Sequence, residues 1–258
     1  GKTTYADVAT FPITAFTEGT GGQFNQPAQC GIPAGEPAVY AVTPPGGTAG
    51  DLITVTGSGF DAGSTVVTDM GASVATTFID SETLQFTIPG AAANGRYQLL
   101  VQNSAGVTSR TGITFHKLGS GYSPPIVWVD ASAPAGGTGS AASPYNTIQA
   151  GIDAAADGSI VVVRPGTYFG EILLDKNVKL QGFGPGAPDG FGTGGSMIDG
   201  RFNTTAFTIT ALAPGTFGST FNVQVDGFRI INARDEQEVG GGLHIAANGE
   251  YVEISNNV

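Results

Sequence analysis

The residues with chemistry to offer are few and scattered. The densest polar stretch is "NARDEQEVGGG" (232–242), where Arg234 precedes Asp235, Glu236 and Glu238. Three carboxylates so close on a loop offer the oxygen ligands that a hard cation such as calcium takes. Their spacing fits no known calcium loop, so a solvated acidic turn is the simpler reading. Asp235, Glu236 and Glu238 form the one candidate metal site, for calcium, and no other cofactor is expected. Paired carboxylates also carry glycoside hydrolysis, which draws attention to Asp130, Asp199 and Asp226. Asp199 and Asp226 each precede a glycine, which is ordinary turn chemistry. His244, in "GGGLHIAAN", has the chemistry of a base or ligand. If Leu243 and Ile245 point inward, alternation turns His244 outward, without a partner. His116 reads as a linker residue at a domain junction. Arg164, Lys179, Arg229 and Arg234 supply positive charge, but none sits in a signature of a catalytic base. There is no nucleophile elbow, zinc spacing or phosphate loop, and no catalytic residue is assigned. Asn203 opens an "NTT" triplet of a kind common by chance.

What must position these groups is a chain of 258 residues, long enough for two compact domains or one large all-β domain. It holds 41 glycines and 15 prolines, with 12% charged and 40% hydrophobic residues. That apolar share excludes a disordered chain and suits many short strands joined by glycine-rich turns. The net charge of −11 repels nucleic acid and anionic membranes. Anionic polysaccharides are poor partners for the same reason, unless calcium intervenes. Cys30 has no internal partner, so it reads as a small, partly buried apolar residue or a link to another chain. No apolar run reaches the roughly 18 residues that suggest a membrane span. The opening "GKTTYADV" reads as a mature or trimmed end.

Residues 1–37 lack periodicity and read as an extended arm or the end of a preceding module. From residue 38 to 117 short alternating segments, "AVYAV", "LITVTG", "STVVT", "TLQFTIP" and "YQLLVQN", are separated by "TPPGG", "GSGFDAG" and "GAAANGR". That spacing predicts an antiparallel sandwich. The stretch "VTPPGGTAGDLITVTGSGF", followed by "TLQFTIP" and "GRYQLLVQNSAGVTS", resembles the IPT/TIG immunoglobulin-like domain. In that reading Gly57 and Gly59 permit the turn and Phe60 plugs the space between the sheets. The resemblance implies a spacer or binding module outside the cell. Some members contact DNA, but no basic stripe supports that role here. Residues 118–125 form a glycine, serine and proline linker.

Residues 126–258 hold one helix, predicted at about 147–156 from the spacing of Ile148, Ile152 and Ala155. Asn146 or Thr147 is expected to cap its start and Gly158 its end. Everything after it is strand and tight turn, with no room for crossover helices, so the chain is expected to coil on itself with strands about 4.8 Å apart. The stretch "SPYNTIQAGIDAAADGSIVVVRPGTYFGEILLDKNVKLQGFG" resembles the start of the pectin-lyase-like right-handed parallel β-helix, continued by "IDG", "VDGFRIINA" and "GGGLHI". The expected fold is therefore all-β: an immunoglobulin-like sandwich, then the capped start of a right-handed parallel β-helix. The helix is expected to cover the first coil, whereas the sequence stops at "ISNNV" in mid-coil. That predicts the N-terminal part of a longer β-helix and an open end able to self-assemble. The resemblance is strong for fold and weak for activity. Lyases of this fold abstract a proton beside a calcium-paired uronate with an arginine or lysine, and each basic residue here is expected to be structural instead.

The expected protein is a secreted or cell-surface structural or adhesive module, non-catalytic over these residues, meeting other surface proteins or glycans. The rival expectation is the N-terminal part of a polysaccharide lyase or epimerase with its active site beyond residue 258.

Overall fold

A computed structural model describes residues 35–71, 74–188, 192–201, 207–209, 223–233, 243–245 and 252–258. The described residues open with a two-sheet sandwich. One sheet orders β1 (Ala38–Thr43), β3 (Leu52–Ser58), β6 (Thr83–Thr87) and β5 (Thr76–Asp80), all antiparallel. The other orders β2 (Gly46–Gly47), β8 (Ile113–Lys117), β7 (Gly95–Gln102) and β4 (Thr65–Thr68). Period-2 alternation aims Ile53, Val55, Leu84 and Phe86 at Leu99, Val101, Ile113 and Phe115, all nearly or fully buried. Phe86 meets Phe115 edge to face, centroids 5.7 Å apart. Phe60 fills the same core at 5% exposure. A Cβ on Gly57 would stand 1.9 Å from the Ala38 carbonyl oxygen, so only glycine lets β3 lie this close to β1.

The predicted strands correspond to β1, β3, β4, β6 and β7. Three strands were not marked in the sequence: β2, β5 and β8. Strand β8 corrects one reading, because His116 lies inside it at 3% exposure rather than in a linker.

The second part runs through β9 (Ile126–Val129), α1 (Ile148–Ala154) and then strands in repeating order. These are β10 (Ile160–Val163), β11 (Gly166–Phe169) and β12 (Ile172–Leu174); β13 (Lys179–Gly182), β14 (Ser196–Asp199) and β15 (Phe207–Ile209); β16 (Val223–Asp226), β17 (Phe228–Ile231) and β18 (Leu243–Ile245); then β19 (Val252–Ser255). Each triplet stacks on the one before. The result is three parallel sheets: β9-β10-β13-β16-β19, β11-β14-β17 and β12-β15-β18. Alternation sends Val161, Leu180 and Val225 into a common apolar column with Tyr168, Ile172, Leu174, Ile198 and Phe228.

Helix α1 buries Ile148 and Ile152 against that column at the β9 end, with Gly151 seated on Val129 and Val161. The Thr147 hydroxyl oxygen caps it by accepting the Ala150 amide at 3.2 Å. The far end differs from expectation. The helix stops at Ala154, the cap residue Ala155 is extended, and Gly158 belongs to the next turn. Lys176 Nζ satisfies the last carbonyls, those of Ile152, Asp153 and Ala155. At the opposite end of the stack Ile254 is 44% exposed.

Candidate functional site

The sheet β9-β10-β13-β16-β19 has an outer face, and its strand register fixes two rows on it. One row is Ile126, Ile160, Lys179, Gln224 and Glu253; the other is Trp128, Val162, Gln181, Asp226 and Ser255. Both rows change from apolar to polar along the stack. The sandwich meets this face with β7 and β8. Alternation that aims Tyr97, Leu99, Ile113 and Phe115 into the sandwich core turns Arg96, Gln98, Thr114 and His116 outward onto the polar rows.

Asp226 is the hub, with 0% exposure. Thr114 donates its amide to Oδ1 at 3.0 Å and its hydroxyl to Oδ2 at 2.7 Å. Gln181 Nε2 donates to Oδ1 at 2.9 Å, and Ser255 Oγ and Asn256 Nδ2 donate to Oδ2 at 2.7 and 2.6 Å. Five donors satisfy both oxygens of the buried carboxylate from within the protein. Asn256 carries the network back to the sandwich, where its Oδ1 accepts from Gln98 Nε2 at 2.9 Å and the Gly112 amide at 3.2 Å. Arg96 pairs with Glu253 and donates to Gln224 Oε1 at 3.3 Å. Among the described residues, Gln224 Nε2 is left as a buried donor without a partner.

His116 sits beside the hub. Gln181 commits its amide nitrogen to Asp226 and to the Gly182 carbonyl, so its Oε1 faces the ring. His116 Nε2 therefore donates to Gln181 Oε1 at 3.0 Å, and Nδ1 accepts the Tyr122 hydroxyl at 2.9 Å. Burial drives the imidazole pKa down to about 4, against the opposing pull of the Gln181 bond and the Asp226 charge. Burial also lowers Lys179, helped by Arg96 and opposed by Glu253, and raises Tyr122.

Backbone contacts extend the seam. The Val42 amide donates to the Phe183 carbonyl at 2.8 Å, and the Gly186 amide to the Tyr40 carbonyl at 2.9 Å. Gly184, at φ +135°, approaches β1 so closely that a Cβ would lie 2.2 Å from the Tyr40 oxygen.

The other candidates are dispersed. Asp130 accepts from Ser132 and from Arg164 Nη1, at 3.2 Å from the latter. Burial works to raise its pKa, but these bonds hold the carboxyl below its usual value. Arg164 also donates to the Ala141 carbonyl and lies over the Trp128 ring, which pins the loop after β9. Asp199 accepts from the Arg201 amide and from Asn232, and Arg229 donates to the Ala187 carbonyl. Asp130, Asp199 and Asp226 thus sit in three separate hydrogen-bond sets and form no acid–base pair. Arg234, Asp235, Glu236 and Glu238 lie outside the described residues, as do Cys30, Asn203 and the His244 side chain. Among the described residues no cluster of three His, Cys, Asp or Glu side chains could hold a metal ion. No described helix is long and apolar enough to cross a membrane.

The seam can therefore fasten the two sheets to each other. Sequence reasoning singled out Asp226 as a candidate carboxylate before a turn, and missed Arg96, Gln98, Thr114, Gln181 and Asn256. The available signal was the polar pair at alternate positions in each of three stacked strands: Lys179 and Gln181, Gln224 and Asp226, Glu253 and Ser255.

Residues 37–116 match the IPT/TIG domain. No curated protein matches the chain. Among solved structures, the γ-CGTase of alkalophilic Bacillus clarkii is similar at 32% identity and a TM-score of 0.30, over 40% of this chain and 15% of that one. A Bacteroides ovatus protein of the mixed-linkage glucan utilization locus, SGBP-B, solved with a mixed-linkage heptasaccharide, is similar at 18% identity and a TM-score of 0.26, over 35% of this chain and 24% of that one. The family 28 exopolygalacturonase of Yersinia enterocolitica is similar at 17% identity and a TM-score of 0.25, over 76% of this chain and 40% of that one. This chain thus spans well under half of the first two proteins. At these TM-scores none of the three likenesses bears on its function.

Proposed function

We propose that this chain is a non-catalytic structural or adhesive module of a secreted or cell-surface protein. In it an IPT/TIG sandwich (38–117) is locked, through the linker 118–125, along one flank of a right-handed parallel β-helix (126–258). The remaining flanks form a stiff surface that meets other proteins or glycans. The observation that carries this reading is the Asp226 hub. A flexible tether between modules needs no buried carboxylate with five donors, whereas a fixed angle between two sheets is held by such a network. A polysaccharide lyase or epimerase needs a cation site and a base converging on one open face. Arg164 and Arg229 hold backbone carbonyls instead, and Lys179 lies half-buried beside the seam.

The test has two parts. Pectate, alginate and hyaluronan, incubated with the chain and calcium, should give no unsaturated product. Scanning calorimetry should give one transition covering residues 38–258, with calorimetric and van't Hoff enthalpies equal. Sustained turnover, or two separate transitions, overturns the reading.

A further inference from the structure

A groove opens at the capped end of the stack, away from the seam. It has a volume of about 220 Å³ and is lined by Asn146, Thr147, Gln149, Thr167, Phe169 and Glu171, with apolar neighbours. Three features of its lining point to a ligand. Phe169 is 54% exposed, and Arg201 holds the ring with its guanidinium carbon 3.7 Å over the centroid. In β11, Tyr168 points into the core, so Thr167 and Phe169 share the outward face. The side chains of Asn146 and Thr167 have no hydrogen-bond partner among the described residues, so an amide and a hydroxyl stand ready beside an apolar ring. Gln149, in contrast, is fixed: its Oε1 accepts the Leu173 amide at 2.8 Å and its Nε2 donates to Asp153 at 2.8 Å. That makes one wall rigid.

We propose that this groove binds one or two units of a neutral glycan, a reading that rests on the surface-module function above. An apolar C–H face packs on Phe169 while hydroxyls pair with Asn146 and Thr167. Neutral sugar is favoured over uronate because, among the described residues, Arg201 is the one basic side chain at the groove and it is committed to the Phe169 ring. The net charge of −11 acts in the same direction.

Isothermal titration of the full chain with cellohexaose, maltohexaose, xylohexaose and mannohexaose tests this, with trigalacturonate as the anionic arm. At least one neutral hexasaccharide should bind. Phe169→Ala should weaken it about tenfold or more, and Asn146→Ala should weaken it less. Both side chains are surface groups, and circular dichroism checks that each variant folds as the wild type does. No binding to any neutral probe, binding unaffected by Phe169→Ala, or binding of trigalacturonate alone overturns the assignment. So does a concentration-dependent dimer that Phe169→Ala abolishes, which would make a second copy the occupant. Each of these failures leaves calorimetric cooperativity across the seam unchanged, so a wrong ligand is distinguishable from a wrong modular reading.

Discussion

Replacing Asp226 by alanine should be the most damaging single polar change in the described structure. The carboxylate is wholly buried and accepts from Thr114 twice and from Gln181, Ser255 and Asn256 once each. The two hydroxyls can rotate toward other acceptors. Gln181 Nε2 keeps the Gly182 carbonyl and Asn256 Nδ2 keeps Gln98 Oε1 at 3.3 Å. The Thr114 amide has no alternative and is left as a buried orphan. Leaving a buried donor of this kind unsatisfied costs about 1–3 kcal/mol. In a unit of this size that lowers Tm by about 2–12 °C. Asp226→Asn should cost less, because its remaining oxygen can still serve the Thr114 amide. Asp153→Ala, at an exposed position whose side chain bonds Gln149, should change stability by about 0.5 kcal/mol or less. Urea denaturation and calorimetry of the three variants give the ranking. If Asp226→Ala unfolds within error of the wild type, the seam carries no load and the rigid-module reading fails with it.

Three further outcomes follow from the same geometry. His116 has a folded pKa of about 4, below its value in an unfolded chain, so its contribution is full above that unfolded value and is lost as pH falls. Stability should drop by about 2 kcal/mol between pH 7 and pH 5, and His116→Gln should flatten that slope in urea titrations at each pH. Gly184→Ala should destabilise by about 2–3 kcal/mol, because the new Cβ meets the Tyr40 oxygen at 2.2 Å and φ is +135°. Thermal melts that match the wild type would refute that close approach. Calcium titrated into the chain should release heat that Glu236→Gln diminishes; equal heat from both removes the acidic loop as its ligand.

Much of this architecture was legible because its periods are plain. Alternation marked β1, β3, β4, β6 and β7, and the 148, 152 and 155 spacing marked α1. Strand β5 was missed because "TTFID" is an edge strand with both faces half-open, so it lacks a clean alternation. Strand β8 was missed because "ITFHK" is buried on both faces, and its histidine and lysine mimicked a solvated linker. The helix end was misplaced because Lys176, twenty-two residues beyond Ala154, supplies the cap that Gly158 was expected to provide. The seam was the least legible part. Polar residues at alternate strand positions ordinarily mean a solvated face. Nothing local in "VQVDG" says that Thr114, more than a hundred positions away, covers that face.

The most direct test is the distance between the two modules. Spin labels at Ala105→Cys on the sandwich and Ala142→Cys on the loop after β9, in a Cys30→Ser background, can be read by pulsed electron paramagnetic resonance. A locked seam predicts one narrow distance distribution in the otherwise native chain, broadened when Asp226→Ala is added. A distribution already broad before that substitution, and unchanged by it, would contradict the account.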